Sequence, residues 1–304
     1  MSVKAAPSLE RVLVTGAAGK IGRAVTRLLT ERGTRVTALS IEFLQPLAAD
    51  RVVVGDTTDE QDVATALDGV DAVVHLAAMP GRDAGEPYDV YRTNVNSTFN
   101  VISQAARRGI RRAVIASSIN AFGVPMNHHD VMPAYFPIDE EIPSDIDDWY
   151  SLSKYSDELT AQMVVRHWGM DVLALRFPLV DSDEGLRRTV ERLKADPAAS
   201  RKEGWSYLDL RDAAEAVYLA LVGEWHGCHV VGLSAVDTLL DRPTAELLRE
   251  HASMVPLRSA PSARSALIDT AKARQLFGFS PRHSVHASEP APLGSDDASA
   301  DPRG

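Results

Sequence analysis

The sequence predicts an α/β fold: a Rossmann-type doubly wound parallel sheet with a small C-terminal substrate lobe. Three observations carry that expectation. Short apolar runs rich in β-branched residues alternate with longer amphipathic stretches through the first half of the chain. That is the pattern of parallel strands covered on both faces by helices. A glycine-rich turn, Thr15–Gly22 (TGAAGKIG), lies directly between the first apolar run and the first amphipathic stretch. The composition, 45% hydrophobic and 24% charged over 304 residues, is that of an ordinary globular protein.

The elements follow in order. Arg11–Thr15 (RVLVT) reads as a strand, and Ile21–Arg32 as a helix with Ile21, Val25, Leu28 and Leu29 on one face. Gly33 stops that helix before a second strand, Thr34–Leu39. Arg51–Val54 is a third strand, and Asp59–Leu67 a helix with Asp59 as its N-cap. Asp71–Leu76 is the fourth strand, Val90–Arg108 a long helix, and Arg112–Ala116 the fifth strand. Trp149–His167 is a helix and Val172–Leu175 the sixth strand. The rhythm then fades. Helices are expected at Asp183–Ala195, Arg211–Val222 and Pro243–His251, with a late strand at Val230–Leu233. Asp212 is read as a helix cap.

The expected organisation is a dinucleotide-binding Rossmann domain over residues 1–176, including the catalytic helix. A small substrate lobe over 177–286 is interleaved with the last Rossmann elements. Residues 287–304, made of Pro, Ser, Ala and Asp with one leucine, are expected to be a disordered tail.

Charge narrows the function classes. With 32 Lys+Arg against 42 Asp+Glu, the formal charge is −10 and no basic block occurs. Nucleic acid and anionic membranes are therefore not the expected partners. A single cysteine, Cys228, excludes an internal disulfide. No apolar run reaches membrane-spanning length, and Met1–Glu10 lacks a secretion-type apolar region. A cytoplasmic protein acting on a small molecule is the expectation. The acids cluster at 137–148 and in the tail, whereas Lys20 and Arg23 adjoin the glycine turn. His128-His129-Asp130 could suggest a metal, but no second histidine pair stands at ligand spacing, so no metal site is expected.

The glycine turn points to a dinucleotide. Gly16, Gly19 and Gly22 let the backbone turn sharply and approach a pyrophosphate, which the following helix N-terminus attracts. Lys20 and Ile21 fall in the same loop. Its spacing is G-x-x-G-x-x-G. Further motifs follow in order: Gly55-Asp56, HLAA at 75–78, NVN at 94–96, ASSINAFG at 116–123, YSLSK at 150–154 and WSYLDLRDAAEA at 205–216. From Arg11 to about Pro281 the chain resembles the extended short-chain dehydrogenase/reductase family, the branch of nucleotide-sugar epimerases and dehydratases.

The resemblance implies that Asp56 bonds the adenine, that Leu76, Ala77 and Ala78 lie along the cofactor, and that Pro178 meets the nicotinamide. At the end of the second strand, where NAD-preferring members carry an acid, this chain has Ser40. The cofactor is therefore expected to be NAD or NADP, with Lys20 able to contribute charge.

Tyr150 and Lys154 share a helix face. A free tyrosine, with a pKa near 10, is a poor base at neutral pH; a neighbouring ammonium favours its phenolate. Tyr150 is thus the expected general acid/base and Lys154 its partner, also holding the nicotinamide ribose. Ser118 matches the family hydroxyl, with Ser117 as the adjacent alternative. Asn94 matches a family asparagine supporting the site. Met79, Asn120, Arg176 and Phe177 are the further candidates for contact with substrate, although Arg176 could equally be a structural ion-pair partner.

The implied chemistry is reversible hydride transfer at a carbinol carbon. Dehydratases of the family carry an acidic pair just after the catalytic hydroxyl; here Ile119, Asn120 and Ala121 follow Ser118, which argues against dehydration. The short segment between Arg176 and Tyr207 resembles the compact lobe of the family's uronate-type sugar dehydrogenases. The expected activity is a net dehydrogenase acting on a sugar or similar polyol. A nucleotide-sugar epimerase and a non-catalytic dinucleotide sensor are the alternatives. The family also implies a homodimer through a four-helix contact of Val90–Arg108 and Trp149–His167.

Overall fold

A computed structural model describes residues 9–286, so the tail expected at 287–304 lies outside the described residues. Nine strands occur among them: β1 (Arg11–Thr15), β2 (Arg35–Ser40), β3 (Arg51–Val54), β4 (Ala72–His75), β5 (Arg112–Ser118), β6 (Asp171–Phe177), β7 (Leu179–Asp181), β8 (Tyr207–Asp209) and β9 (Cys228–Gly232). The helices are α1 (Lys20–Glu31), α2 (Glu60–Ala66), α3 (Pro87–Arg107), α4 (Trp149–Trp168), α5 (Asp183–Ala195), α6 (Leu210–Val222), α7 (Thr244–His251) and α8 (Ala271–Phe277). Seven strands form one sheet, ordered β3-β2-β1-β4-β5-β6-β9, and every pairing is parallel. Strand order reverses between β1 and β4, so their carboxyl ends open a crevice suited to a ligand.

Strand alternation builds the two cores. Val12 and Val14 of β1 face one side with Val25 and Leu29 of α1 and Ala213 and Val217 of α6. Leu13 faces the other with Val63 of α2, Ile102 of α3 and Val164 of α4. Such a side chain, fully buried, contributes about 1.5–3 kcal/mol, which is why the register does not slip. A third apolar cluster, around Phe136, Trp205, Tyr207, Leu247 and Ile268, lies in the region following β5 and β6.

The structure adds β7, β8 and α8 to the elements expected from sequence. The strands are three residues each and α8 is seven, too short for either periodicity to register. It also moves a cap. Asp209, not Asp212, caps α6 by accepting from the Arg211 amide. Asp212 sits inside the helix and is buried, accepting from the amides of Arg282 and His283 and pairing with His283 Nδ1.

Candidate active site

The glycine loop joins β1 to α1 at the crevice. Gly16 has φ +63°, and a Cβ there would lie 2.7 Å from the Ala77 nitrogen. A Cβ on Gly22 would lie 2.2 Å from the Gly16 carbonyl oxygen. Both glycines are thus demanded by close backbone approach. No side chain caps the first turn of α1, whose N-cap is Gly19, and that turn holds no acid. It presents its N–H groups and partial positive charge to an anion.

The cations beside the loop are differently employed from the sequence expectation. Lys20 Nζ lies 2.7 Å from Asp181 of β7. Arg23 donates to the carbonyls of Ala18, Gln45 and Pro46. Local positive potential therefore comes chiefly from the helix terminus, not from bare side-chain charge. Asp56 follows β3 and is fixed in a turn, its carboxylate accepting from the Thr58 amide at 2.8 Å. Ser40 ends β2, its carbonyl accepting from Gly55.

Beneath the loop runs a buried polar chain. Thr15 Oγ1 meets His75 Nδ1 at 2.8 Å and accepts from the amides of Leu76 and Ala77. His75 Nε2 meets Thr98 Oγ1 at 3.1 Å. Burial, reinforced by nearby Lys154, pulls the His75 pKa down to about 3, so the ring is neutral.

Asp148 caps α4 by accepting from the Ser151 amide, which sets Tyr150 in the helix's first turn. Tyr150 and Lys154 are both buried. Lys154 Nζ donates to the Ala116 carbonyl at 3.1 Å and to Asp157 Oδ2 at 3.2 Å. Burial works most strongly against its ammonium, but Asp157, Tyr150 and Glu158 together outweigh it and hold the Lys154 pKa above the ordinary lysine value. Asp157 was not singled out in the sequence; its position three residues after Lys154 on the same helix is the signal that could have found it.

The two serines divide cleanly. Ser117 Oγ donates to Glu158 at 2.6 Å. Ser118 Oγ instead accepts from the Asn120 amide and side chain, both at 3.1 Å, which leaves its own proton for another partner. Asn94 is fully buried and does not line the cleft. It bonds the Met79 amide and carbonyl and Ser153 Oγ, so it ties α3 to the end of β4 and to α4.

Two expected substrate contacts are placed elsewhere. Arg176 forms a buried fork with Glu158, at 2.8 and 2.9 Å, and is not among the cleft-lining residues. The Met79 side chain lies toward Gly85, outside the cleft lining.

A cleft of about 480 Å³ gathers the rest. Ile21, Leu76, Ala78 and Pro178 line one end; Ser118, Asn120, Tyr150, Lys154 and Phe177 line its centre. Ser206, from the motif at 205–216, lines it as well, and the remaining wall comes from residues the sequence did not mark: Thr189 and Arg192 of α5, and Ser200 and Glu203 beyond it. No spacing or motif distinguishes them. Pro125 and Met126 also line it. The two walls are joined: Lys202 Nζ lies 2.6 Å from Asn127 Oδ1 and 3.3 Å from Asp130, and Arg201 lies 2.6 Å from Asp130. His129, beside them, is held between Asp145 and Asp147.

Known proteins share this architecture. The family model "NAD dependent epimerase/dehydratase family" matches residues 12–227. The UDP-glucose 4-epimerase of Corynebacterium glutamicum is 26% identical, over 90% of this chain and 91% of that protein. The L-arabinose 1-dehydrogenase (NAD(P)(+)) of Haloferax volcanii is 32% identical, over 58% of this chain and 70% of that protein. A crystal structure of a short-chain dehydrogenase/reductase superfamily protein from Agrobacterium tumefaciens with bound NAD superposes with TM-score 0.67 at 23% identity, covering 90% of this chain and 93% of that one, and shows the shared fold. With the uncapped glycine-loop helix and the Tyr150–Lys154 pair at one crevice, the chain belongs to the NAD-dependent epimerase/dehydratase family.

Proposed function

We propose that the protein is a net dehydrogenase that oxidises one hydroxyl of a sugar or similar polyhydroxylated small molecule, or reduces the corresponding carbonyl. The observation that carries this reading is the convergence of Ser118, Tyr150 and Lys154 in one cleft whose two walls are joined at Asp130. Gly16, Gly19 and Gly22 admit the pyrophosphate, and Ile21, Leu76, Ala77, Ala78 and Pro178 flank the nicotinamide half. Bound NAD supplies the hydride acceptor at the substrate carbon.

The chain's own residues do the rest. Ser118 donates its hydrogen bond to the substrate oxygen. Tyr150 takes the hydroxyl proton in oxidation and returns it in reduction. Lys154, kept cationic by Asp157 together with Tyr150 and Glu158, favours the phenolate and holds the ribose. Asn94 acts by fixing Met79 and α4. The third apolar cluster serves as the substrate lobe. With Arg23 committed to backbone carbonyls and Lys20 paired with Asp181, neither cation beside the loop is arranged for a ribose 2′-phosphate, which favours NAD over NADP.

The epimerase reading draws support from the Corynebacterium relative, whose match extends over 90% of this chain. The short segment between Arg176 and Tyr207 favours the dehydrogenase, because it offers little to cover a nucleotide. Homodimerisation is the remaining part of the proposal. Tyr88 and Phe99 on α3 and Leu152, Tyr155 and Leu159 on α4 are exposed apolar side chains, and a second copy would cover them. Sedimentation at micromolar concentration tests this, with a monomer as the contrary result.

A panel of monosaccharides and nucleotide sugars, run with NAD and NADP and followed by reduced-nicotinamide absorbance and product mass, tests the reaction. The expected result is net reduction of NAD with a free monosaccharide. Conversion of a nucleotide sugar with no net nicotinamide change would replace this reading with the epimerase.

A further inference from the structure

Two serines end β5, and the fold uses their hydroxyl protons differently. Ser117 Oγ donates to Glu158 at 2.6 Å. Ser118 Oγ donates to no group of the chain among the described residues. The difference originates in the single 3₁₀ turn that follows, Ile119–Phe122. Gly123 closes that turn, its amide donating to the Asn120 carbonyl at 2.7 Å. Its φ is +90°, and a Cβ there would run into the Asp145 backbone, whose amide donates to the Phe122 carbonyl. The turn is thereby anchored, and it folds Asn120 back over Ser118. The Asn120 backbone amide and side-chain Nδ2 both lie 3.1 Å from Ser118 Oγ.

A hydroxyl oxygen has two acceptor sites and one proton. Asn120 occupies both acceptor sites, so Ser118 is left as a donor alone, and it lines the cleft with Tyr150. We propose that Asn120 is a positioning residue that compels Ser118 to give its proton to the substrate oxygen and bars it from accepting the substrate's. A carbinol hydroxyl bound there accepts from Ser118 and keeps its own proton for Tyr150. A freely rotating serine would also accept that proton, holding the hydroxyl the wrong way round. The arrangement is destabilising in one respect. Asn120 Oδ1 is buried and no donor of the chain reaches it, and an unsatisfied buried oxygen weakens a fold. With the amide reversed, Oδ1 would accept the Ser118 proton and the substrate would lose its donor. Asn120, expected from the sequence to touch the substrate, thus acts through Ser118. This inference rests on Ser118 and Tyr150 being the groups at the reacting oxygen, and holds for net oxidation and for epimerisation alike.

Neutron diffraction of the deuterium-exchanged full chain with NAD bound reads the hydrogen positions without a substrate. The expected result is an ND2 group facing Ser118 Oγ and a Ser118 deuteron directed into the cleft. A Ser118 deuteron donated to the Asn120 side-chain oxygen overturns the proposal. Kinetics with the monosaccharide and nucleotide-sugar panel, product being followed by mass, test the consequence. Asn120→Leu removes Nδ2 and the unpartnered oxygen together at similar size. It is expected to lower kcat about tenfold, with sugar KM and NADH affinity shifting less than about threefold and Tm level or raised. In a Ser118→Ala background the same substitution is expected to change kcat less than about twofold. Asn120→Asp keeps the shape but offers the Ser118 proton an acceptor, and is expected to lower kcat roughly 10²-fold.

An Asn120→Leu loss that persists in full without Ser118, or a lowered Tm with unchanged kcat, overturns the positioning role. Product from no member of the panel removes the dehydrogenase reading, while the deuteron positions still decide the role of Asn120. Product without net nicotinamide reduction, with both Asn120 variants impaired as expected, keeps that role and replaces the dehydrogenase with the epimerase.

Discussion

In the dinucleotide half of the cleft, each functional group lies within a few residues of a parallel strand's carboxyl end: Gly16 after β1, Leu76 after β4, Ser118 at the end of β5, Pro178 after β6. In the substrate half, the walls come from 124–130 and 189–206, segments far apart in sequence and held by side-chain bridges such as Lys202 to Asn127 and Arg201 to Asp130. The first half is specified by backbone approach, which few sequences satisfy. The second is specified by side-chain pairing, which many sequences satisfy. Chemistry shared across a family can reside in the former while substrate choice varies in the latter.

The largest expected effect tests the boundary between the halves. Tyr150→Phe should lower kcat by roughly 10²- to 10⁴-fold while NAD affinity changes by less than about twofold, since the ring keeps its place. Turnover kinetics with cofactor titration check both. A large loss of NAD affinity would show that the halves are not separable at Tyr150.

The buried histidine gives the dinucleotide half a pH signature of its own. His75 titrates at about 3 in the fold, against about 6.5 unfolded. Between those values the unfolded chain binds the extra proton. Stability is thus fully present above about pH 6.5 and falls as pH drops, by about 1.4 kcal/mol per unit and on the order of 5 kcal/mol in all. His75→Gln should remove that component from urea midpoints measured between pH 7 and 4. An unchanged slope would contradict the neutral buried ring.

Gly16→Ala should break the dinucleotide half alone. Its Cβ would meet the Ala77 backbone at φ +63°, costing roughly 1–3 kcal/mol and weakening NAD binding at least about tenfold, measured by fluorescence titration. The smallest effect belongs to the other half. Lys202→Met removes the bridge to Asn127 and should raise the sugar KM about fivefold, on the order of 1 kcal/mol, with NAD affinity constant.

The same contrast explains what could be read from the sequence. The six strands before the lobe, the glycine loop and the Tyr150–Lys154 face were legible because periodicity and spacing are local. Thr189, Arg192 and Glu203 were not, since only the tertiary fold brings α5 and the segment after it to the cleft. Arg176 was ambiguous because nothing local reveals that Glu158, on the neighbouring helix, takes its Nε and Nη2 donors. Lys20 looked like a cofactor cation until β7, itself invisible to periodicity, supplied Asp181.

The most direct measurement is the stoichiometry of reduced nicotinamide against sugar product with saturating NAD, read by absorbance and mass in the same reaction. The account predicts one reduced nicotinamide for each sugar oxidised, abolished by Tyr150→Phe. Product formation with no accumulation of reduced nicotinamide would contradict it.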